Sequence, residues 1–141
     1  MSPAASSSAP AAPAECKAPA LQVSVKANAS TYAAGVNPVI TMTIKNAGTA
    51  PCTRDIGAAA TELKITSGSD RIWSSDDCNK GGKPAVTLLK PGDVKTVVVT
   101  WNRKRSKPAA VCIGADALSG LYKVEGRLGN LITVRDTFFL S

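Results

Sequence analysis

The sequence contains no histidine. That absence removes the side chain most often used as a general base near neutral pH and the commonest protein ligand for transition metals. Aromatic residues are scarce as well, two each of Phe, Trp and Tyr in 141 residues, so the core must be built mainly from aliphatic side chains. No apolar run approaches the roughly 18 residues that a membrane-spanning helix needs. Carboxylates are few, ten against 17 lysines and arginines, and most stand beside turn residues. No S-x-x-K motif on a helix offers a Ser–Lys nucleophile. Paired carboxylates of the glycosidase kind stay open on spacing alone, because strands bring distant residues together. The expectation is a chain that is not an enzyme and uses no cofactor and no metal.

What is present suits one soluble domain. The length allows a single sizeable core, 44% of residues are apolar and mean hydropathy is near zero. A net charge of +7 favours anionic partners. Cys16, Cys52, Cys78 and Cys112 are widely spaced with no CxxC pair, which argues against a zinc cage and for two disulfides formed in an oxidising compartment. Four buried thiols in a cytosolic protein are the alternative. After Met1, residues 2–14 are Ala, Ser and Pro only: an extended spacer that lacks the charged start and apolar stretch of a signal peptide. The expected organisation is a disordered stalk or linker over residues 1–18 and one domain over 19–141, secreted or membrane-anchored through a removed N-terminal segment.

From Leu21 the pattern becomes short alternating runs. Leu21, Val23 and Val25 share one side of a strand; Ile40, Met42 and Ile44 do so in the next. Further strands are expected over residues 62–66, 71–73 and 94–101, with a terminal hairpin over 121–128 and 131–140 around Gly129-Asn130. Residues 57–60 have room for one turn of helix. The sum is an all-β fold, an immunoglobulin-like β-sandwich of about seven antiparallel strands. Strand parity places Cys52 and Cys78 at one pole, giving the pairing Cys52 with Cys78 and, by elimination, Cys16 with Cys112.

Tyr32-Ala33-Ala34-Gly35 and Lys45-Asn46-Ala47-Gly48 resemble the opening of many bacterial extracellular immunoglobulin-like modules. Ile72-Trp73-Ser74-Ser75, Leu89-Lys90-Pro91-Gly92-Asp93, Val99-Thr100-Trp101 and Gly120-Leu121-Tyr122-Lys123-Val124 are similar to the family named after a Bacillus intracellular proteinase inhibitor and to its secreted actinobacterial relatives. The resemblance implies a sandwich over roughly residues 20–141 and places no reactive-site motif on them.

Candidate sites follow from charge and aromatic placement. Arg103, Lys104, Arg105 and Lys107 put four cations in five residues and could hold an anionic cell-wall polymer or lipid; a solvated loop is the plainer reading. No aromatic interleaves them, which argues against nucleic acid. Trp73 and Trp101 form either core or, if exposed, a sugar-stacking platform. Tyr122 resembles a tyrosine corner. Asp76-Asp77 lacks the repeated acidic spacing of calcium loops and is expected to be solvated in a turn. Lys80-Gly81-Gly82-Lys83-Pro84 is the best candidate for an inhibitory loop. The reading that results is a monomeric, non-catalytic binding or scaffolding module of the cell envelope, its ligand an envelope protein or an anionic wall component. A proteinase inhibitor and a carbohydrate-binding module are the alternatives.

Overall fold

The computed structural model describes residues 13–77, 82–108 and 113–141. The expected strands form: β1 (Leu21–Ala27), β3 (Val39–Asn46), β5 (Thr61–Ser67), β6 (Asp70–Ser74), β8 (Val94–Thr100) and β9 (Gly120–Leu128). Three short strands lacked a periodic signal of their own: β2 (Thr31–Tyr32), β4 (Cys52–Asp55) and β7 (Val86–Leu89). The run expected as one last strand is divided into β10 (Leu131–Ile132) and β11 (Asp136–Leu140). Residues 57–60 make a single turn, in which Ala60 N and Thr61 N both donate to Gly57 O.

One sheet has the order β1-β3-β8 and a second the order β2-β11-β9-β5-β6, with β10 attached to β9; β4 and β7 pair apart. Alternation dictates which side of each strand turns inward. Ile40, Met42 and Ile44 of β3 are fully buried, as are Ile65 of β5 and Val124 and Leu128 of β9. The two larger sheets meet face to face over this core: a Cβ added at Gly126 of β9 would lie 2.9 Å from Met42 Cε of β3. Five of the six aromatic rings then join in one cluster. Trp101 lies 5.6 Å from Tyr122, 6.2 Å from Phe138 and 6.5 Å from Trp73, and Phe138 lies 5.7 Å from Tyr32. Scarce aromatics are thus concentrated rather than spread.

Two corrections concern the cysteines. Cys16 is bonded to Cys52, so neither the pairing of Cys52 with Cys78 nor that of Cys16 with Cys112 holds; Cys78 and Cys112 themselves lie outside the described residues. The physical reason is backbone pairing ahead of β1. Segment 14–16 lies alongside β4, Cys16 N donating to Thr53 O at 2.8 Å and Thr53 N to Ala14 O at 2.9 Å. Parity already puts the start of β1 and the end of β3 at one pole, and this added pairing selects Cys16 from the cysteines that parity allows there. Arg54 reinforces the arrangement. Its buried guanidinium donates to Cys16 O and Leu128 O, both at 2.8 Å, and Gly129, at φ +60°, leaves the space it occupies.

Non-reducing peptide mapping is expected to recover Cys16 linked to Cys52. Replacing both by Ser should lower stability by about 4 kcal/mol on chain-entropy grounds, measured by denaturant unfolding under matched conditions.

Candidate functional site

The loop of four cations does not stand free in solvent. Arg103 follows Trp101 at the end of β8 and adopts φ +60°, a left-handed conformation that a non-glycine residue keeps only when its surroundings enforce it. Its guanidinium supplies that enforcement, donating to Ala33 O at 2.8 Å, Val36 O at 3.0 Å and Ser141 O at 2.8 Å. Lys104 forms an ion pair with Asp116. Arg105 grips both oxygens of Asp70, at 3.1 and 2.9 Å, and this contact holds the Asp70 carboxyl below its ordinary pKa. Lys107 is exposed and has no ion pair among the described residues. Beside Arg103 and Lys104 lies a hollow of about 290 Å³ whose wall also carries Asp116, which neutralises Lys104. Three of the four side chains therefore tie loops together, contrary to a solvated strand-end loop of little structural weight.

Asp76 and Asp77 also depart from expectation. Asp77 is 3% exposed; Arg71 donates to both its oxygens, at 2.8 and 3.1 Å, and Ser106 Oγ donates at 2.5 Å. Burial disfavours its charge, but these donors outweigh it and hold its pKa below the ordinary value. Asp76 shares Arg127 with Glu62, each accepting at 3.0 Å. Burial, followed by the Glu62 charge, raises the Asp76 pKa. For Glu62 burial opposes ionisation, yet the Ser74 hydroxyl and Arg127 bring its pKa below the usual value. These carboxylates are committed to arginines rather than to a turn in water.

The uncompensated charge lies elsewhere. Strands β1, β3 and β8 carry Lys26, Lys45 and Lys95 and no acid, and Lys90 stands in the turn that leads into β8. All four are exposed and none has an ion pair among the described residues. Register places Lys45 beside Gln22 and Val94, Thr43 beside Ser24 and Thr96, and Thr41 beside Lys26 and Val98. The outer side of this sheet thus carries Lys26 and Lys45 among hydroxyl and valine side chains, whereas Lys95, opposite Ile44, belongs to the other side and remains exposed there. Sequence reading missed it because its lysines are isolated along the chain; the signal was the polar parity of each strand combined with the lack of acids.

Both tryptophans are buried, Trp73 at 7% and Trp101 at 0% exposure, and offer no stacking platform. Tyr122 donates its hydroxyl to Leu118 O, four residues upstream, at 2.5 Å, the geometry of a tyrosine corner. Of the candidate inhibitory loop, Lys80 and Gly81 lie outside the described residues. Gly82 is packed so closely on Ala58 that an added Cβ would come within 2.7 Å of its methyl group, while Lys83 and Pro84 are exposed.

No known family profile and no curated protein matches the chain. Solved structures do. A β-glucosidase from Erythrobacter marinus is similar at TM-score 0.52 and 12% identity, over 86% of this chain and 15% of that one. A Listeria innocua β-glucosidase in complex with glucose gives 0.50 and 12%, over 86% and 16%. The Pseudomonas fluorescens alkylpurine DNA glycosylase AlkC bound to DNA gives 0.50 and 10%, over 86% and 30%. The chain spans less than a third of each, and at such identity the likeness is one of fold.

Replacing Arg103 by Ala should cost about 1 to 2 kcal/mol of stability through three lost carbonyl contacts. Asp77→Asn should cost about 2 to 3 kcal/mol at neutral pH. Because the folded pKa of Asp77 is depressed, its contribution is complete above the ordinary carboxylate pKa of about 4 and fades as pH falls through the folded value. Thermal melts over that acid range should accordingly show a shallower pH dependence for Asp77→Asn than for the parent.

Proposed function

We propose that the chain is a non-catalytic, extracytoplasmic binding or scaffolding module of the cell envelope, whose partner is anionic. The observation that carries this reading is the segregation of charge: most acids are bound to basic side chains or backbone amides away from the β1-β3-β8 sheet, whose strands carry lysines and no acid. Long-range attraction between such a sheet and an anionic protein, wall polymer or lipid follows from simple electrostatics. The binding surface is then centred on Lys26 and Lys45 of the outer side, while Lys95, opposite Ile44, is exposed on the other side of the sheet and Lys107 is the one member of the 103–107 loop that can contribute.

The fold we propose is the immunoglobulin-like sandwich. Its support is the strand order, β1-β3-β8 facing β2-β11-β9-β5-β6, together with the corner formed by Tyr122 at the start of β9. Placement outside the cytoplasm is supported by the disulfide between Cys16 and Cys52. With that pair joined, Cys78 and Cys112 are left to each other as a second disulfide. Described residues beside them converge on one segment: Asp77 accepts from Ser106 Oγ, and Gly114 N donates to Arg105 O.

Cosedimentation with purified cell wall or with anionic vesicles tests the reading. The parent should bind at low salt and release as ionic strength approaches 1 M, where screening falls to about 3 Å. Replacing Lys26 and Lys45 of the outer side together with Lys95 of the sheet's other side by Ser should abolish binding with little change in thermal midpoint. Full binding by that triple variant, or salt-insensitive binding, would contradict it.

A further inference from the structure

The strand β8 has one free edge, and its hydrogen-bond pattern shows which residues present it. Asn46 N donates to Asp93 O, and Trp101 N donates to Pro38 O. In an antiparallel pair, hydrogen-bonded and non-hydrogen-bonded positions alternate. These two bonds, with the register Ile40↔Val99, Met42↔Val97 and Ile44↔Lys95, fix the odd-numbered residues of β8 as those bonded to β3. Val94, Thr96, Val98 and Thr100 therefore turn their backbone N–H and C=O groups away from the sheet. Among the described residues, nothing bonds to them. In the other large sheet the edges are partly covered: β11 is paired with β2, and Ser106 N donates to Ile72 O of β6 at 3.0 Å.

Three further features stand along this edge. The even-numbered side chains include Val94 and Val98, 49% and 57% exposed. The odd-numbered Val97 and Val99 border a groove of about 180 Å³, whose other walls include Ile56, Leu63 and Glu62. Glu62 is already committed to Ser74 and Arg127, so the groove is chiefly apolar toward a ligand. The sheet behind the edge bears lysines and no acid.

We infer that β8 receives an extended acidic segment of a partner protein, which adds to the β1-β3-β8 sheet as its next strand. Backbone pairing with the four outward-facing residues supplies the contact, alternate apolar side chains enter the groove, and the intervening carboxylates lie on the outer side of the sheet, toward Lys45 and Lys26. A second copy of this chain fits less well: pairing β8 with itself would bring two lysine sheets together in a protein of net charge +7. The inference rests on the anionic-partner reading above and specifies that partner's chemistry.

The test uses a labelled peptide of alternating Asp and Val, about eight residues long to match a common strand length, read by fluorescence anisotropy. It should bind the whole protein, whereas an alternating Lys and Val peptide should not. Methylating alternate backbone nitrogens of the acidic peptide leaves its charge intact and blocks strand pairing; affinity should fall about tenfold. Val98→Pro removes a donor only from the free edge, since Val98 N makes no bond to β3, and should weaken binding by about tenfold with the thermal midpoint nearly unchanged. If Val98→Pro fails to fold, the methylated peptide still decides. Equal binding of the methylated and unmethylated peptides would overturn strand addition while leaving the electrostatic reading intact. Binding of wall or vesicles but not of the acidic peptide would also overturn it. A parent that sediments as a dimer which Val98→Pro dissolves would assign the edge to a second copy instead. Failure to bind any anionic probe would overturn both this inference and the reading beneath it.

Discussion

The disposition of carboxylates is the constraint on which the surface of this protein depends. With ten acids against 17 basic side chains, each carboxylate that is held in one place leaves a cation uncompensated in another. Glu62, Asp70, Asp76 and Asp77 are bound by Arg71, Arg105 and Arg127 around the β5–β6 end of one sheet. Asp93 and Asp136 accept from the backbone of Lys90 and Ala27. Asp55 accepts from Gly57 and Ala85. Buried or amide-bound carboxylates of this kind cannot swing out to meet a surface lysine without losing bonds that hold their own loops. The opposite sheet is basic as a consequence of how the loops are fastened.

Rigidity comes from the same economy of residue types. Trp101 directly follows β8 and packs on Trp73, Tyr122 and Phe138 from the facing sheet, so the sheet that bears the lysines is anchored at one pole by the aromatic cluster. At the other pole, Asn46 is fully buried and donates to Ala50 O and Leu89 O while accepting from Gly48 N. A surface held at both ends orders few side-chain and backbone degrees of freedom when it binds, which lowers the entropic cost of association.

Much of the fold was legible in the sequence because burial on one side of a strand imposes a period of two residues. Ile40, Met42 and Ile44, or Leu63 and Ile65, declare their strands without help from tertiary structure. The strands β2, β4 and β7 were not legible, since two to four residues are too few to show a period and their pairing is set by distant partners. The same limit misled the disulfide assignment: the pairing of segment 14–16 with β4 leaves no local pattern. The site was less legible still. Four adjacent cations, Arg103, Lys104, Arg105 and Lys107, are conspicuous in sequence, yet three serve as internal fastenings. Lys26, Lys45 and Lys95 are inconspicuous because only strand register brings them onto one sheet.

The most direct test of the central claim is lysine footprinting: brief acetylation in the presence and absence of polyglutamate, with modification at each lysine read by mass spectrometry. The account predicts that polyglutamate protects Lys26 and Lys45 of the outer side, while Lys104, held by Asp116, changes little. Protection confined to Lys104 and Lys107, with the sheet lysines as reactive as before, would contradict it.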